Sequence, residues 1–304
     1  MDARHDDICG HATKKLLERA YNMFEQSEYQ MLATISVSHL YNLRHSQGYQ
    51  KQRRHFTKTQ SRQVPIGERR KPQPNGEPGY IRIDTVHQGD LDKQKGVYHI
   101  NAVDEVTQFE VVCSVERISE RYLIPVLTQM MAAFPFIIKG FHSDNGSEYI
   151  NKHVCKLLTK LEIELTKSRS RHSNDNALAE SKNASIVRKQ FGYTHIPQKW
   201  APLINTFNLK YLYPYINYHR PCFFPEVTTD DKGKQRKTYP YKSMMTPYEK
   251  LKSLPHAKTY LKADFHFEIL DEQAMEMTDN ACAELLQKER NELFNQIFEQ
   301  NKRA

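Results

Sequence analysis

Hydrophobic and polar positions change their period several times along the chain, and each change predicts an element. From His11 to Tyr29 the apolar residues Leu16, Leu17, Ala20, Tyr21 and Phe24 recur at helical spacing, which predicts an amphipathic helical region. After a short break, Ile35 to Arg44 predicts a second helix with Ser36 as its N-cap. Val37, Leu40 and Tyr41 then face inward. Ser38, His39, Asn42 and His45 face outward, with Arg44 near them. Two short helices around a tight turn, the second polar on one face, form a helix-turn-helix pattern whose Asn and Arg can pair with base edges in a major groove. An ordinary helical hairpin is the other reading of the same pattern.

Residues 47–79 hold little apolar material beyond Phe56, Val64 and Ile66, and they end in the turn-rich run Lys71-Pro72-Gln73-Pro74-Asn75-Gly76-Glu77-Pro78-Gly79. Period-two alternation then begins. In Tyr80 to Val86, Ile81, Ile83 and Thr85 take one face and Arg82, Asp84 and Val86 the other. Val97–Val103 and Phe109–Val115 predict two more strands joined by a hairpin-length connection. Ser119–Phe134 follows as a helix, Phe136–Phe141 as a fourth strand, Asn151–Leu161 as a helix, Ile163–Thr166 as a fifth strand and Asn176–Phe191 as a helix. That order predicts an α/β mixed sheet flanked by helices. Further on, 223–245 predicts a hairpin turning at Asp230–Lys234. Pro247–Leu254 predicts a short helix, and Asp279–Gln300 a terminal helix with Leu285, Leu286, Leu293, Phe294, Ile297 and Phe298 as its apolar stripe.

Composition narrows the classes. A net charge of +8 over 304 residues leans toward a polyanionic partner. The excess is concentrated between Arg44 and Lys71, where Arg53, Arg54, Lys58, Arg62, Arg69 and Arg70 face a single acid, Glu68. Such a stretch can track a phosphate backbone, or simply be solvated. Mean hydropathy is −0.75, and no apolar run is long enough to span a bilayer. The absence of an apolar segment near Met1 leads to the expectation of a cytoplasmic protein. Five scattered cysteines suit reduced thiols, not a disulfide framework.

The candidate chemistry is acidic. Asp144 follows the apolar run 136–141, as a carboxylate at the end of a strand would. Glu180 sits early in a predicted helix, and Asp84 lies on the first strand. Together the three suit a site for Mg²⁺ or Mn²⁺, two ions, because carboxylates are the hard oxygen ligands these cations prefer. An isolated Asp at a strand end is usually a loop residue or a helix cap; Asp175 is such a cap candidate, and Asp104 is the reserve candidate for the site.

The element order, the block Asp144-Asn145-Gly146-Ser147-Glu148-Tyr149 and the thirty-five residues between Asp144 and Glu180 resemble the DDE catalytic core of retroviral-type integrases and insertion-sequence transposases, nearest the IS481 type. Ile35–Arg44 is similar to the helix-turn-helix before that core. Asn217-Tyr218-His219-Arg220-Pro221 and Thr246-Pro247-Tyr248-Glu249 are similar to the tail after it. The resemblance implies a ribonuclease H-like fold with a five-stranded mixed sheet, preceded by an all-α helix-turn-helix segment. It implies that Asp84, Asp144 and Glu180 are the catalytic metal ligands. The expected organisation is a helix-turn-helix segment at 1–50, shortened relative to the family, a basic linker at 51–79, the catalytic core at 80–222 and a C-terminal extension at 223–304. Asn145, Gly146 and Asn176 are expected to support the site. Ser38, His39, Asn42, Arg44, Arg53, Arg54, Arg69, Arg70, Arg169, Arg171, Lys182, Asn183, Arg188 and Lys189 are expected to meet nucleic acid.

The resemblance thus implies a polynucleotidyl transferase acting on double-stranded DNA, both element ends and target, as a homo-oligomer on that DNA and with no membrane. Two alternatives stand beside it: a catalytically silent, domesticated transposase acting as a sequence-specific DNA-binding protein, and another ribonuclease H-like nuclease.

Overall fold

The structure, a computed structural model, describes residues 1–5, 8–46, 49, 68–69, 73–143, 158–159, 162–168, 177–229 and 235–302. Its centre is a mixed sheet. Five strands, β1 (Tyr80–His87), β2 (Tyr98–Asp104), β3 (Glu110–Val115), β4 (Gly140–Ser143) and β5 (Glu164–Lys167), lie in the order 5-4-1-2-3. The pairs β1–β2 and β2–β3 are antiparallel, whereas β1–β4 and β4–β5 are parallel. This is the expected mixed five-stranded sheet of a ribonuclease H-like fold, with one addition. The two-residue segment Glu68–Arg69 pairs parallel to β5 as a sixth, outermost strand.

Alternation gives the sheet two unlike faces. Ile81, Ile83, Ile100, Ala102, Phe109, Val111, Cys113 and Val115 enter one cluster with Leu123, Leu127 and Met130 of helix α3 (Glu120–Ala133). The opposite face carries Arg82, Asp84, His99, Asn101, Glu110 and Ser114 among Val86 and Val112. It is covered by a helix whose first segment is α4 (Ala177–Lys182) and by α5 (Ala201–Phe207), against which the long terminal helix α8 (Asp279–Lys302) packs. Strand β3 is a sheet edge, and two asparagines satisfy the open backbone groups of Glu110 and Ser114. Asn217 accepts from the Glu110 amide and donates to its carbonyl, both at 2.8 Å. Asn205 accepts from the Ser114 amide at 2.5 Å and donates to its carbonyl at 2.8 Å.

The fourth strand starts later than its apolar run suggests. Phe136 bridges to Leu261 and the Ile137 amide donates to the Tyr260 carbonyl, so this stretch first pairs with the C-terminal part. The chain joins β1 only from Gly140. Gly79, at φ +108°, permits the close approach, since an added Cβ would lie 2.4 Å from the Ile137 carbonyl oxygen. The helix expected over 151–161 lies largely outside the described residues; only Leu158 and Thr159 are described as helical there.

At the N-terminus, α1 (Gly10–Asn22) is shorter than its apolar pattern, and Glu25 follows at φ +52°. Helix α2 (Val37–Arg44) begins as expected, with Ser36 Oγ accepting from the His39 amide at 3.1 Å. Leu40 packs with Leu17, Ala20 and Tyr29. Tyr41 is not turned inward as the spacing implied: its ring lies at the surface over Gly10, whose amide donates to its hydroxyl. These helices are fastened to the rest of the molecule. Buried Arg19 pairs with Asp279 at 2.7 Å and with Glu249 at 2.5 Å, and Asp279 also meets His219 at 3.0 Å. His5 reaches the Tyr215 hydroxyl at 2.8 Å and Asn280 at 3.2 Å. Glu249 belongs to α6 (Pro247–Lys252), which Thr246 and Glu249 cap reciprocally. Helix α7 (Phe267–Met275) adds Phe267 and Leu270 to the apolar face.

Candidate active site

Asp84 occupies the middle of β1, on the polar face, opposite Asn101 of β2. Its carboxylate is half-buried. Oδ1 accepts from the Thr85 amide at 2.8 Å and Oδ2 accepts from Asn183 Nδ2 at 2.6 Å. Asn183 in turn accepts from Asn101 Nδ2 at 2.9 Å. Asn183 lies three residues after Glu180, about one turn further along the same helix. The helix carrying Glu180 therefore crosses β1 and β2 over Asp84. Glu180 itself is exposed. A π turn at Asn183–Val187 interrupts α4 before the helix resumes and ends at Gly192, φ +64°. Such turns insert one residue and are frequent at functional sites.

Strand β4 runs parallel to β1, with Ser143 paired to Ile83. The next residue in sequence, Asp144, lies outside the described residues, as do its expected supports Asn145, Gly146 and Asn176. Among the described residues no three His, Cys, Asp or Glu side chains gather as a metal-holding group. The two described acids are hard oxygen donors in a polar, solvent-reached setting. That donor chemistry fits a divalent oxygen-seeking cation.

Several residues expected to meet nucleic acid are committed elsewhere. Arg44 is buried: Nε and Nη2 bind the Asp2 carboxylate at 2.8 and 2.5 Å, and Nη2 also donates to Thr13 at 2.8 Å. Lys182 is buried against Glu110 and Cys222. Arg188 donates to Gln88 at 3.2 Å and to the His87 carbonyl at 3.0 Å, with its guanidinium 4.5 Å over Tyr193. These contacts anchor it at the end of β1, and burial lowers its pKa. Asn183 faces Asp84, not solvent. The common cause is that a long cationic side chain follows the nearest buried acceptor or carboxylate, which lies far away in sequence. Asp104, the reserve acid, is a turn cap. It accepts from the amides of Gly79, Val106 and Thr107 and from the Thr107 hydroxyl, and burial pushes its pKa up to about 6.

Ser38, His39 and Asn42 are exposed along α2, and Lys189 is exposed on the Glu180 helix. Arg53, Arg54, Arg70, Arg169 and Arg171 lie outside the described residues, and Arg69 is described only through its backbone pairing with Lys167. Sequence reasoning missed Asn101 and Glu110. Asn101 left a trace, a polar residue in the midst of the apolar run 97–103, but its register with Asp84 needed the sheet.

Residues 74–173 match the family model of the integrase core domain. The match spans β1 to β5 and includes Asp84. A curated relative, the uncharacterized protein y4rM of Sinorhizobium fredii, is 30% identical over 156 residues, 51% of this chain and 43% of its own. The chain thus spans less than half the length of that relative. Among solved structures, the simian T-cell lymphotropic virus intasome in complex with PP2A regulatory subunit B56 gamma is similar at 18% identity over 66% of this chain and 68% of that one, TM-score 0.37. The HTLV-2 integrase catalytic core domain in complex with magnesium is similar at 15% identity over 51% and 90%, TM-score 0.34. The BIV integrase catalytic core domain is similar at 13% identity over 56% and 91%, TM-score 0.36. The strand order, not these distant likenesses, carries the fold. Among the described residues no helix is long and apolar enough to cross a membrane.

Proposed function

We propose that this protein is a DDE transposase or integrase of the IS481 type, which cuts the 3′ ends of an insertion element and joins them to target DNA. One observation carries the reading: Asn183, a turn after Glu180, hydrogen-bonds Asp84 at 2.6 Å, which supports a common site for two of the three expected acids. The integrase core match over 74–173 supports it independently. Asp84, Asp144 and Glu180 would hold the divalent cations, Mg²⁺ or Mn²⁺ in a pair. When bound, the ions supply activation of the attacking oxygen and charge stabilisation on the leaving oxygen.

The chain's own groups do the rest. Asn183 and the Thr85 amide orient the Asp84 carboxylate. The exposure of Glu180 leaves room for a strand of DNA at the mouth of the site. Water attacks the phosphodiester at the element end; the P–O3′ bond breaks and the 3′ oxygen leaves as a hydroxyl. That hydroxyl then attacks a target phosphodiester, whose own 3′ oxygen departs. Phosphodiester number is conserved in the second step, and no Ser, Tyr or Cys nucleophile is needed. Helix α2, through Ser38, His39 and Asn42, would read duplex DNA, while the basic stretch with Arg53, Arg54, Arg69 and Arg70, and the pair Arg169 and Arg171, would follow the phosphates. Joining two ends calls for a homo-oligomer on the DNA. The reading puts this work in the cytoplasm, at the nucleoid.

The test is cleavage of duplexes carrying the inverted repeats that flank the gene, with Mg²⁺ or Mn²⁺. Nicking at the 3′ ends followed by joining to a second duplex is the expected result. Binding without cleavage under any divalent cation would favour the silent regulator, and cutting of RNA–DNA hybrids alone would favour a ribonuclease.

A further inference from the structure

A buried charge pair lies on the same face of the sheet as Asp84, and the proposed chemistry does not use it. Glu110, at the start of β3, is 1% exposed and Lys182 is 5% exposed. Lys182 Nζ lies 3.5 Å from Glu110 Oε2 and donates to Cys222 Sγ at 3.2 Å. Cys222 is itself held by the short pairing of Cys222–Phe223 with Met244–Met245. Lys182 is thus the buried ion-pair partner of Glu110. Burial raises the Glu110 pKa, while the charges of Lys182 and Arg220 and the Asn101 amide draw it back down.

Burying two charges is a poor way to add stability, because desolvation offsets most of their attraction. What such a pair supplies is direction. Lys182 follows Glu180 by two residues, roughly 200° around the helix. Holding Lys182 on the inner side therefore fixes where Glu180 points. A helical carboxylate lies on the order of 6 Å from the axis, so a turn of about 20° moves it by about 2 Å. The π turn begins at Asn183, directly after Lys182, and resets the helical phase there. The phase is thus set twice at one point, by Glu110 on Lys182 and by Asp84 and Asn101 on Asn183.

We propose that Glu110, acting through Lys182, is the positioning residue that fixes the rotation of the Glu180 helix and hence the spacing between Glu180 and Asp84. This rests on the reading of those two acids as ligands of one metal site. The test uses the full chain with Glu110→Gln, Lys182→Met, Lys182→Arg and the apolar double Glu110→Leu/Lys182→Met. Three quantities are read: melting temperature, Mn²⁺ affinity by titration without DNA, and kcat and KM for cleavage of an element end.

The two charge-removing single variants should bind Mn²⁺ about tenfold more weakly and lose about 10²-fold in kcat, as a small misplacement of a reacting group does, with KM changed less than about twofold. Lys182→Arg should keep Mn²⁺ affinity within about threefold of the parent, since the charge is retained. The double should regain the parental melting temperature and still bind Mn²⁺ weakly. A double variant with parental Mn²⁺ affinity and kcat would reduce the pair to a packing element and overturn the proposal. So would single variants with unaltered affinity. If the singles do not fold, the double and Lys182→Arg decide. A parent chain that binds no Mn²⁺ would sink the metal-site reading and this proposal together; a parent that binds it beside unaltered variants would sink this proposal alone.

Discussion

The two faces of one sheet have opposite characters. Toward α3, β1 to β3 present Ile81, Ile83, Ile100, Ala102, Val111, Cys113 and Val115, and Phe109 meets Phe134, Phe136, Tyr213 and Tyr218 with ring centroids 5.8–6.4 Å apart. Toward the Glu180 helix, the same strands present Arg82, Asp84, His99, Asn101, Glu110 and Ser114. Apolar burial is strong but non-directional, so it decides that layers pack, not at what rotation. Polar groups buried on the other face need partners at fixed distances and angles, and that requirement aims them. His99 shows how far this goes. It is fully buried, stacks on Phe191 at 4.3 Å and meets Ser114 at 2.8 Å, and burial holds its pKa down at about 3, so the ring stays neutral at neutral pH.

If the division is right, changes on the polar face should cost activity and changes on the apolar face should cost stability. The largest effect is expected from Asp84→Asn or Glu180→Gln. Each should reduce end cleavage by at least about 10³-fold while the melting temperature shifts by only a few degrees. Cleavage rates and a thermal melt on the same samples check this, and substantial residual cleavage in either variant would break the assignment.

Next comes Phe109→Ala on the apolar face. Losing a fully buried ring should cost about 3–5 kcal/mol in urea unfolding, with kcat of the folded fraction at low temperature preserved within about threefold. A large loss of kcat without a stability change would erase the contrast.

The Arg19–Asp279–His219 node sharpens it, because there a polar group serves stability. Arg19→Met should cost about 3 kcal/mol by leaving a buried carboxylate short of a partner. Burial raises the Asp279 pKa, but the His219 hydrogen bond and the Arg19 charge outweigh it, and the net value falls below the ordinary 3.8. A carboxylate depressed on folding contributes stability that is fully present above pH 3.8 and is lost as pH falls through its folded value. Asp279→Asn should therefore flatten the acid limb of the urea midpoint below about pH 4 relative to the parent. An unchanged limb would show that Asp279 is not the group responsible.

The smallest effect is expected on neither face. Asn42→Ala, on the exposed side of α2, should leave stability within about 0.5 kcal/mol and weaken binding to the element end by about 1 kcal/mol, read by a titration at fixed salt. Equal weakening on unrelated duplexes would remove Asn42 from sequence readout.

Residue by residue, the two faces were unequally legible. The alternation of Tyr80 to Val86 assigned Ile81, Ile83, Arg82 and Asp84 to their observed faces, and the helix read over 119–134 is found at Glu120–Ala133. The Ser36 cap and the terminal helix were equally plain. Lys182, Arg188 and Arg44 were not, because a helical cation looks the same in sequence whether it meets solvent or a carboxylate. Their partners Glu110, Gln88 and Asp2 lie tens of residues away. The late start of β4 was hidden for a similar reason, since the competing partners, Tyr260 and Leu261, come from the far end of the chain.

By itself, then, the sequence determined the periods: which stretches are strands, which are helices, and which side of each is apolar. Those follow from local sterics and from the removal of apolar surface from water, both of which act on near neighbours. Only the tertiary structure decided register and rotation, setting Asn101 across from Asp84, Asn183 against it, and Lys182 over Glu110. Hydrogen bonds and ion pairs are short-ranged and directional, and their partners meet only once distant segments have packed.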